Sequence, residues 1–169
     1  MGHVISAEGI SPDPDKVVAI RQAPFLKNQQ EVKSFLGMLS NHSKFIPSYS
    51  TLAEPLLKLT RKNVKWEWDE AAHAAYTQLK SVVSEQTTLS IFDTAASTRT
   101  EIQTDASASG IGAVLLQYDS KDTPHVIAFA SRTLSEAERR YSTIEKKPWQ
   151  YRSPPSGGKF SFGGENLKL

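Results

Sequence analysis

The chain has 169 residues, room for one domain or two small ones, and its 38% hydrophobic content with three Trp supports a modest core. Zero Cys excludes a disulfide framework or a thiolate metal site and fits a reducing compartment, and no apolar run reaches bilayer length or reads as a signal peptide. The net charge of +2 conceals three blocks: Met1–Lys65 holds nine basic and five acidic residues, Trp66–Glu145 six and twelve, and Lys146–Leu169 five and one. A basic first block suits a polyanion and an acidic middle suits cations, although ordinary solvated faces produce the same counts.

In chain order, Val4-Ile5 and Ile10 flank Ser6-Ala7-Glu8-Gly9, which predicts a strand, a turn and a strand edge. Asp13-Pro14-Asp15 predicts a helix start ahead of Val17–Ile20, and Pro24 stops that helix. Asn28 with Glu31 three residues on forms a capping box for a second helix. Its apolar face is Val32, Phe35, Leu36 and Leu39, continued by Phe45 and Ile46. A third helix spans Leu52–Leu59. Lys65-Trp66-Glu67-Trp68 alternates like a strand, with the two Trp on opposite faces and one of them core. Asp69 caps a helix through Ala72, Ala75, Leu79 and Val82-Val83.

The period then changes. Arg99–Asp105, Ile111–Tyr118 and Val126–Ser131 predict three consecutive strands, the first two joined as a hairpin through the Gly-containing Ala106–Gly110 link. Ser135 with Glu138 predicts a capped helix through Glu145. After Lys147 the pattern fails: Pro148, Pro154, Pro155, Gly157-Gly158 and Gly163-Gly164 break helix and strand, so residues 147–169 are expected to be disordered.

Residues 2–146 resemble the Pol polyprotein of Ty3/gypsy-type retrotransposons. The resemblance is carried by Ser34-Phe35-Leu36-Gly37, Phe45-Ile46, Ala53-Glu54-Pro55-Leu56, Trp66-Glu67-Trp68, Phe92-Asp93 and Thr104-Asp105-Ala106-Ser107. It continues through Gly110–Leu115, Ala130–Leu134 and Tyr141–Glu145. Each motif is weak alone; their order and spacing together are specific. The resemblance implies an α+β architecture, a small helical thumb followed by a truncated RNase H-like domain that begins with a three-stranded antiparallel meander. Residues 1–11 would close the palm and its primer-grip hairpin, with Gly2 and His3 at the primer. Residues 12–63 would be the thumb, and 64–146 the connection and a partial RNase H-like domain. No Tyr-X-Asp-Asp motif is present, so the chain is not expected to polymerise by itself.

Ribonuclease H chemistry uses two divalent ions held about 4 Å apart by clustered carboxylates. The resemblance makes Asp105 a catalytic residue and metal ligand; read alone, Asp105 is a strand-terminating acid that caps a turn. It implies Mg²⁺ or Mn²⁺ as cofactor in the intact family, not bound productively here, because Lys147 stands where the second carboxylate belongs. Glu145 points to nearly the opposite side of that helix, and Asp119 lies roughly 20 Å away along the hairpin. Synonymous codon choices allow a nucleotide string to be written that encodes Lys147–Leu169 and, read one base earlier, EALAVSFASERWKIFLWGRKFKI, which restores a glutamate at that position. The tail is therefore expected to be frame-shifted.

For an RNA–DNA hybrid or template–primer duplex, the candidate phosphate contacts are Lys33, Lys44, Lys58, Arg61, Lys62 and Lys65. The family's aromatic-aromatic-arginine stretch against the minor groove is replaced by Asn41-His42-Ser43, and His42 is expected at the surface. Three functions fit. One is an inactive fragment of a reverse transcriptase/ribonuclease H. The others are a non-catalytic nucleic-acid-binding module and a host-recruited interaction protein. The expected location is cytoplasmic, in a virus-like particle as for the family, with no membrane contact. Without its later strands the sheet is expected to be marginally stable, its apolar Val114, Leu116 and Ile127 left on an unfinished face.

Overall fold

The computed structural model describes residues 2–85, 87–94 and 98–139, with the backbone of 161–162 and 165–166. It opens on a hairpin, β1 (His3–Ser6) against β2 (Gly9–Pro12), antiparallel with Ser6 opposite Gly9. Gly9 sits at φ 134, and a Cβ there would fall 2.2 Å from the Leu89 carbonyl oxygen, so the position requires glycine on both counts. The close approach serves a two-bond bridge, in which the Ile10 amide donates to Leu89 O at 2.7 Å and the Leu89 amide to Ile10 O at 2.8 Å. The next amide, Ser90 N, donates to Val126 O at 2.7 Å.

The expected caps start their helices. Asp13 accepts from Asp15 N at the head of α1 (Pro14–Arg21), and Pro14 spends no needed donor there. Asn28 and Glu31 complete their box at the head of α2 (Gln29–Ser40): Glu31 N donates to Asn28 Oδ1 at 2.9 Å. A 3₁₀ turn, Ser43–Phe45, leads to α3 (Tyr49–Leu59), entered through Ser48 in the left-handed region at φ 50. Asp69 accepts from Ala72 N at 2.7 Å and starts α4 (Glu70–Ser84).

These four helices enclose one core. Val32, Leu39, Ala53, Leu56 and Leu79 are fully buried, with Phe35 and Ile20 nearly so. Each of these side chains larger than Ala contributes roughly 1.5–3 kcal/mol on transfer out of water, before the entropy of ordering the chain is subtracted. The core runs through residue 63 without a break, because Ala72, Ala75, Tyr76, Leu79 and Val83 of α4 pack on α1 and α3. Tyr76 and Lys80 also secure the end of α1: Tyr76 OH donates to Ala23 O at 2.6 Å and Lys80 Nζ to the same oxygen at 2.9 Å.

No strand forms at Lys65–Trp68. Instead Trp66 and Trp68 lie together, ring centroids 6.1 Å apart, and both pack on the helical core. Phe25 and Tyr76 meet the edges of the Trp68 ring, so aromatic packing displaces the expected alternation.

The sheet is an antiparallel meander of β3 (Arg99–Ala106), β4 (Gly110–Tyr118) and β5 (Pro124–Thr133), in that order. Its register sets Asp105 opposite Gly112 and Gly112 opposite Ser131, with a register shift at Leu115/Leu116 on the β5 side. Leu116 is buried, contrary to the unfinished face expected for it, whereas Val114 and Ile127 are half-buried. Ser135 and Glu138 form their box at the head of α5 (Glu136–Arg139). The disorder and frame shift expected of residues 147–169 lie outside the described residues, apart from β6 (Ser161–Phe162), which pairs antiparallel with β7 (Glu165–Asn166). Among the described residues no helix is long and apolar enough to cross a membrane.

Candidate functional site

Side chains of directly opposed residues in an antiparallel pair stand on the same face. Asp105, Gly112 and Ser131 therefore form one row across the sheet. The row meets the start of α3. A Cβ at Gly112 would lie 3.1 Å from Ser48 Oγ, and one at Gly110 would lie 2.9 Å from Thr51 Oγ1. Ser131 Oγ accepts from Ser50 N at 2.9 Å and so satisfies a first-turn donor of α3 that Ser48 leaves unbonded. Two glycines and a serine thus let a helix end lie on the strand that pairs with the Asp105 strand.

Asp105 itself is exposed at the end of β3. Among the described residues no three His, Cys, Asp or Glu side chains gather into a group able to hold a metal ion. One exposed carboxylate is a poor donor set for an ion pair that several carboxylates must hold. The described residues therefore do not fit the two-ion site. Asp119 is at the opposite end of the hairpin, since Tyr118 pairs with Arg99. There it closes a turn, accepting from Lys121 N at 2.8 Å and Thr123 N at 2.9 Å, and its other oxygen meets His125 Nε2 at 3.2 Å. The Thr123 amide, with His125 and Lys121, holds its carboxyl below the usual carboxylate range. Lys147 lies outside the described residues.

The candidate nucleic-acid contacts divide into two groups and one outlier. Gly2, His3 and Lys44 come together. The His3 ring stands 5.3 Å from Phe45 and 5.9 Å from His42, Lys44 Nζ lies 5.2 Å over the Phe45 ring, and a Cβ at Gly2 would sit 3.6 Å from His42 Nε2. Partial burial, then the nearby Lys44 charge, lowers the His3 pKa from 6.5, and burial lowers that of Lys44. His42 is not at the surface: it is 4% exposed, Nδ1 meets Met38 O at 3.1 Å, and Nε2 is buried without a hydrogen-bond partner. Its neighbours pull it inward, with the His3 ring edge-on and the Phe45 ring tilted against it at a helix end that sequence periodicity treats as solvent-facing.

Lys58, Arg61, Lys62 and Lys65 form the second group, exposed on the last turn of α3 and the loop beyond it. Lys58 pairs with Glu54 at 3.4 Å, an i,i+4 pair on α3, and the other Glu54 oxygen meets Arg139 at 3.4 Å. Lys33 stands apart, exposed on α2. The residues that bring sheet and helix together, Ser48, Ser131, Gly110 and Gly112, were not singled out from the sequence as site residues. The glycines were visible in Gly110–Leu115, but nothing local shows what approaches them.

Residues 68–149 match the model of the RNase H-like domain found in reverse transcriptase. The chain is 38% identical over 159 residues to the retrovirus-related Pol polyprotein from transposon opus of Drosophila melanogaster, a match covering 87% of this chain and 16% of that protein. It is 34% identical to the corresponding polyprotein from transposon 297 of the same fly, covering 87% and 13%. To the transposon Tf2-3 polyprotein of Schizosaccharomyces pombe it is 32% identical, covering 87% and 11%. The chain thus spans less than a fifth of the length of these relatives. Among solved structures, the foamy viral protease-reverse transcriptase in complex with RNA/DNA hybrid superposes with a TM-score of 0.69 at 19% identity, covering 86% of this chain and 20% of that one. The same enzyme in complex with dsDNA gives 0.68 at 20% identity, covering 86% and 30%. At that identity the likeness is one of fold. The motif order, the relatives and the family model agree, and the chain belongs to the Ty3/gypsy-type retrotransposon Pol polyproteins, with residues 68–149 in the RNase H-like domain found in reverse transcriptase.

Proposed function

We propose that this chain is the thumb and RNase H-like part of a reverse transcriptase/ribonuclease H, that it holds an RNA–DNA hybrid or a template–primer duplex, and that it does not cut it. The observation that carries the second half is the solitary, exposed Asp105 at the end of β3, with no metal-holding group among the described residues. Mg²⁺ or Mn²⁺ serves the intact family, and here neither is held productively. The first half is supported by the relatives' Pol polyprotein identity and by the RNA/DNA and dsDNA complexes of the structural neighbours. It is supported too by the cluster of His3 and Lys44 beside Gly2 and by the exposed Lys58, Arg61, Lys62 and Lys65. We assign residues 1–11 to the primer-grip hairpin, 12–63 to the thumb and 64–146 to the connection and partial RNase H-like domain, with α4 of the last segment packed on the thumb. A cytoplasmic, particle-associated location follows from the family.

Incubation with a labelled hybrid and Mg²⁺ or Mn²⁺ tests the inactivity: no cleavage is expected. Cleavage abolished by Asp105→Asn would overturn it. Duplex binding is expected to weaken steeply with salt. A Lys58/Arg61/Lys62 triple alanine variant should lower the log–log salt slope by roughly 2–3, about 0.9 per lost phosphate contact. A flat titration at low salt would remove the duplex-holding function.

A further inference from the structure

The two edges of the sheet are not alike. The β5 edge begins at Pro124 and is met by Ser90, whose amide donates to Val126 O at 2.7 Å. Among the described residues β3 pairs with β4 alone, and none of its 8 residues is buried. It carries no proline, lysine or bulge, the features that ordinarily keep an edge strand from pairing with another chain. Its free backbone groups follow from the hairpin. Ser107 N donates to Gly110 O at 2.8 Å, and the register runs on without a shift to Arg99 opposite Tyr118. Bonded and non-bonded pairs alternate along an antiparallel ladder, so Asp105, Gln103 and Glu101 bond to β4. Thr100, Ile102 and Thr104 therefore direct their amides and carbonyls at the open edge.

Such an edge can pair antiparallel with a copy of itself about a two-fold axis. Two long registers keep the free groups in phase. With the axis at Gln103, Glu101 would face the Asp105 of the second copy, opposing like charges at both ends. With the axis at Ile102, Arg99 faces Asp105, Glu101 faces Gln103, Thr100 faces Thr104 and Ile102 faces itself. Each charged residue of the strand then meets an opposite charge or an amide. The three outward residues of each copy exchange about six backbone hydrogen bonds in all. Arg99 gives one amino group to Asp122 at 2.8 Å, and its guanidinium retains further donors. We propose that β3 is a homodimerisation edge, at which two copies of this chain join antiparallel about Ile102 and merge their meanders into one sheet. Asp105 then bonds a guanidinium of the second copy. The pairing does not depend on whether the chain holds a duplex.

Sedimentation velocity of the full chain should show a concentration-dependent equilibrium between monomer and dimer. Asp105→Arg opposes two guanidinium groups at both ends of the contact and should raise the dissociation constant roughly tenfold. The double exchange Arg99→Asp/Asp105→Arg should restore it. Ile102→Pro removes an outward amide that β4 does not use, and should abolish the dimer while the helical circular dichroism is retained. The chain has no Cys, so single cysteines report the register. Ile102→Cys should oxidise to a covalent dimer, because bonded residues lie about 5.5 Å apart at Cα. Thr104→Cys should not, since its copies lie roughly 14 Å apart in that register, beyond disulfide reach. A monomer at every concentration would overturn the proposal, as when another segment of the same chain occupies the edge. A dimer indifferent to both Asp105→Arg and Ile102→Pro would overturn it by placing the contact elsewhere. Equal crosslinking at 102 and 104 would overturn the Ile102 axis.

Discussion

The helical part of the chain holds five apolar side chains at 0% exposure, whereas the best-buried apolar residues of the sheet, Ile111 and Leu115, stop at 6%. The difference lies in how each part acquires its second layer. Four helices can wrap one another, and the elements that do so are contiguous from Pro14 to Ser84. A three-stranded meander has two faces and no means of covering both with its own residues. It borrows α3 for the Asp105 face. On the opposite face Gln117, 4% exposed, receives Asp93 N at 2.8 Å and donates to Asp93 O at 2.8 Å and Thr100 Oγ1 at 3.1 Å. An amide side chain there takes the place of a further strand's backbone. The sheet thus adds polar contacts at particular positions to its buried Ile111, Leu115 and Leu116, whereas the helices rely on a larger apolar core.

The largest expected effect tests that contrast directly. Phe35→Ala should cost about 3–5 kcal/mol in urea unfolding and Leu115→Ala about 2 kcal/mol, the low end for a truncated leucine whose site is less enclosed. Equal losses would erase the distinction. Next, Gln117→Leu should cost about 1–3 kcal/mol, since it removes the three hydrogen bonds of a buried side-chain amide, two of them to the Asp93 backbone. The Asp93 amide should lose its hydrogen-exchange protection while amides in α2 keep theirs.

Smaller effects concern charge. Hydrogen bonds from Arg132, then from the Ser135 amide and hydroxyl, hold the Glu138 carboxyl at about 2 against an ordinary 4.5. A carboxyl depressed on folding stabilises the fold at pH above its unfolded value, and that contribution is lost as pH falls from 4.5 through about 2. Wild type and Glu138→Gln should therefore differ in Tm at pH 6 and converge near pH 2. Their partial exposure keeps the difference small. The smallest effect is at His3, whose imidazole should titrate by NMR with a midpoint below 6.5. Its neutral form is favoured by folding, so its contribution to stability falls as pH drops through that lowered midpoint, and any gain in duplex affinity from its charge should appear only there. Lys44→Met should move the midpoint upward.

What was legible in the sequence is what short-range chemistry decides. Asp13, Asn28 with Glu31, Asp69 and Ser135 with Glu138 all act within four residues of themselves, and each begins a helix where expected. Strand alternation placed the meander to within two residues at each boundary. What was not legible depends on partners far along the chain. Trp66 and Trp68 alternate like a strand, yet they pack with Phe25 and Tyr76, and no local periodicity contains that fact. The same applies to His42 beside His3, and to Ser131, whose hydroxyl bonds an amide 81 residues away. Asp105 was found through its motif, but its relation to α3 required the register that puts Gly112 beside it.

The tryptophan pair has an optical consequence. Two indoles 6.1 Å apart and tilted by 34° form a chiral dipole pair, whose coupled transitions should give a paired band of opposite signs in circular dichroism. Trp149 is the third and remaining indole, and Trp149→Phe leaves the pair as the sole contributor. Such a signal reports on the helical half alone, so melting it beside the amide signal shows whether the two halves come apart together or in turn.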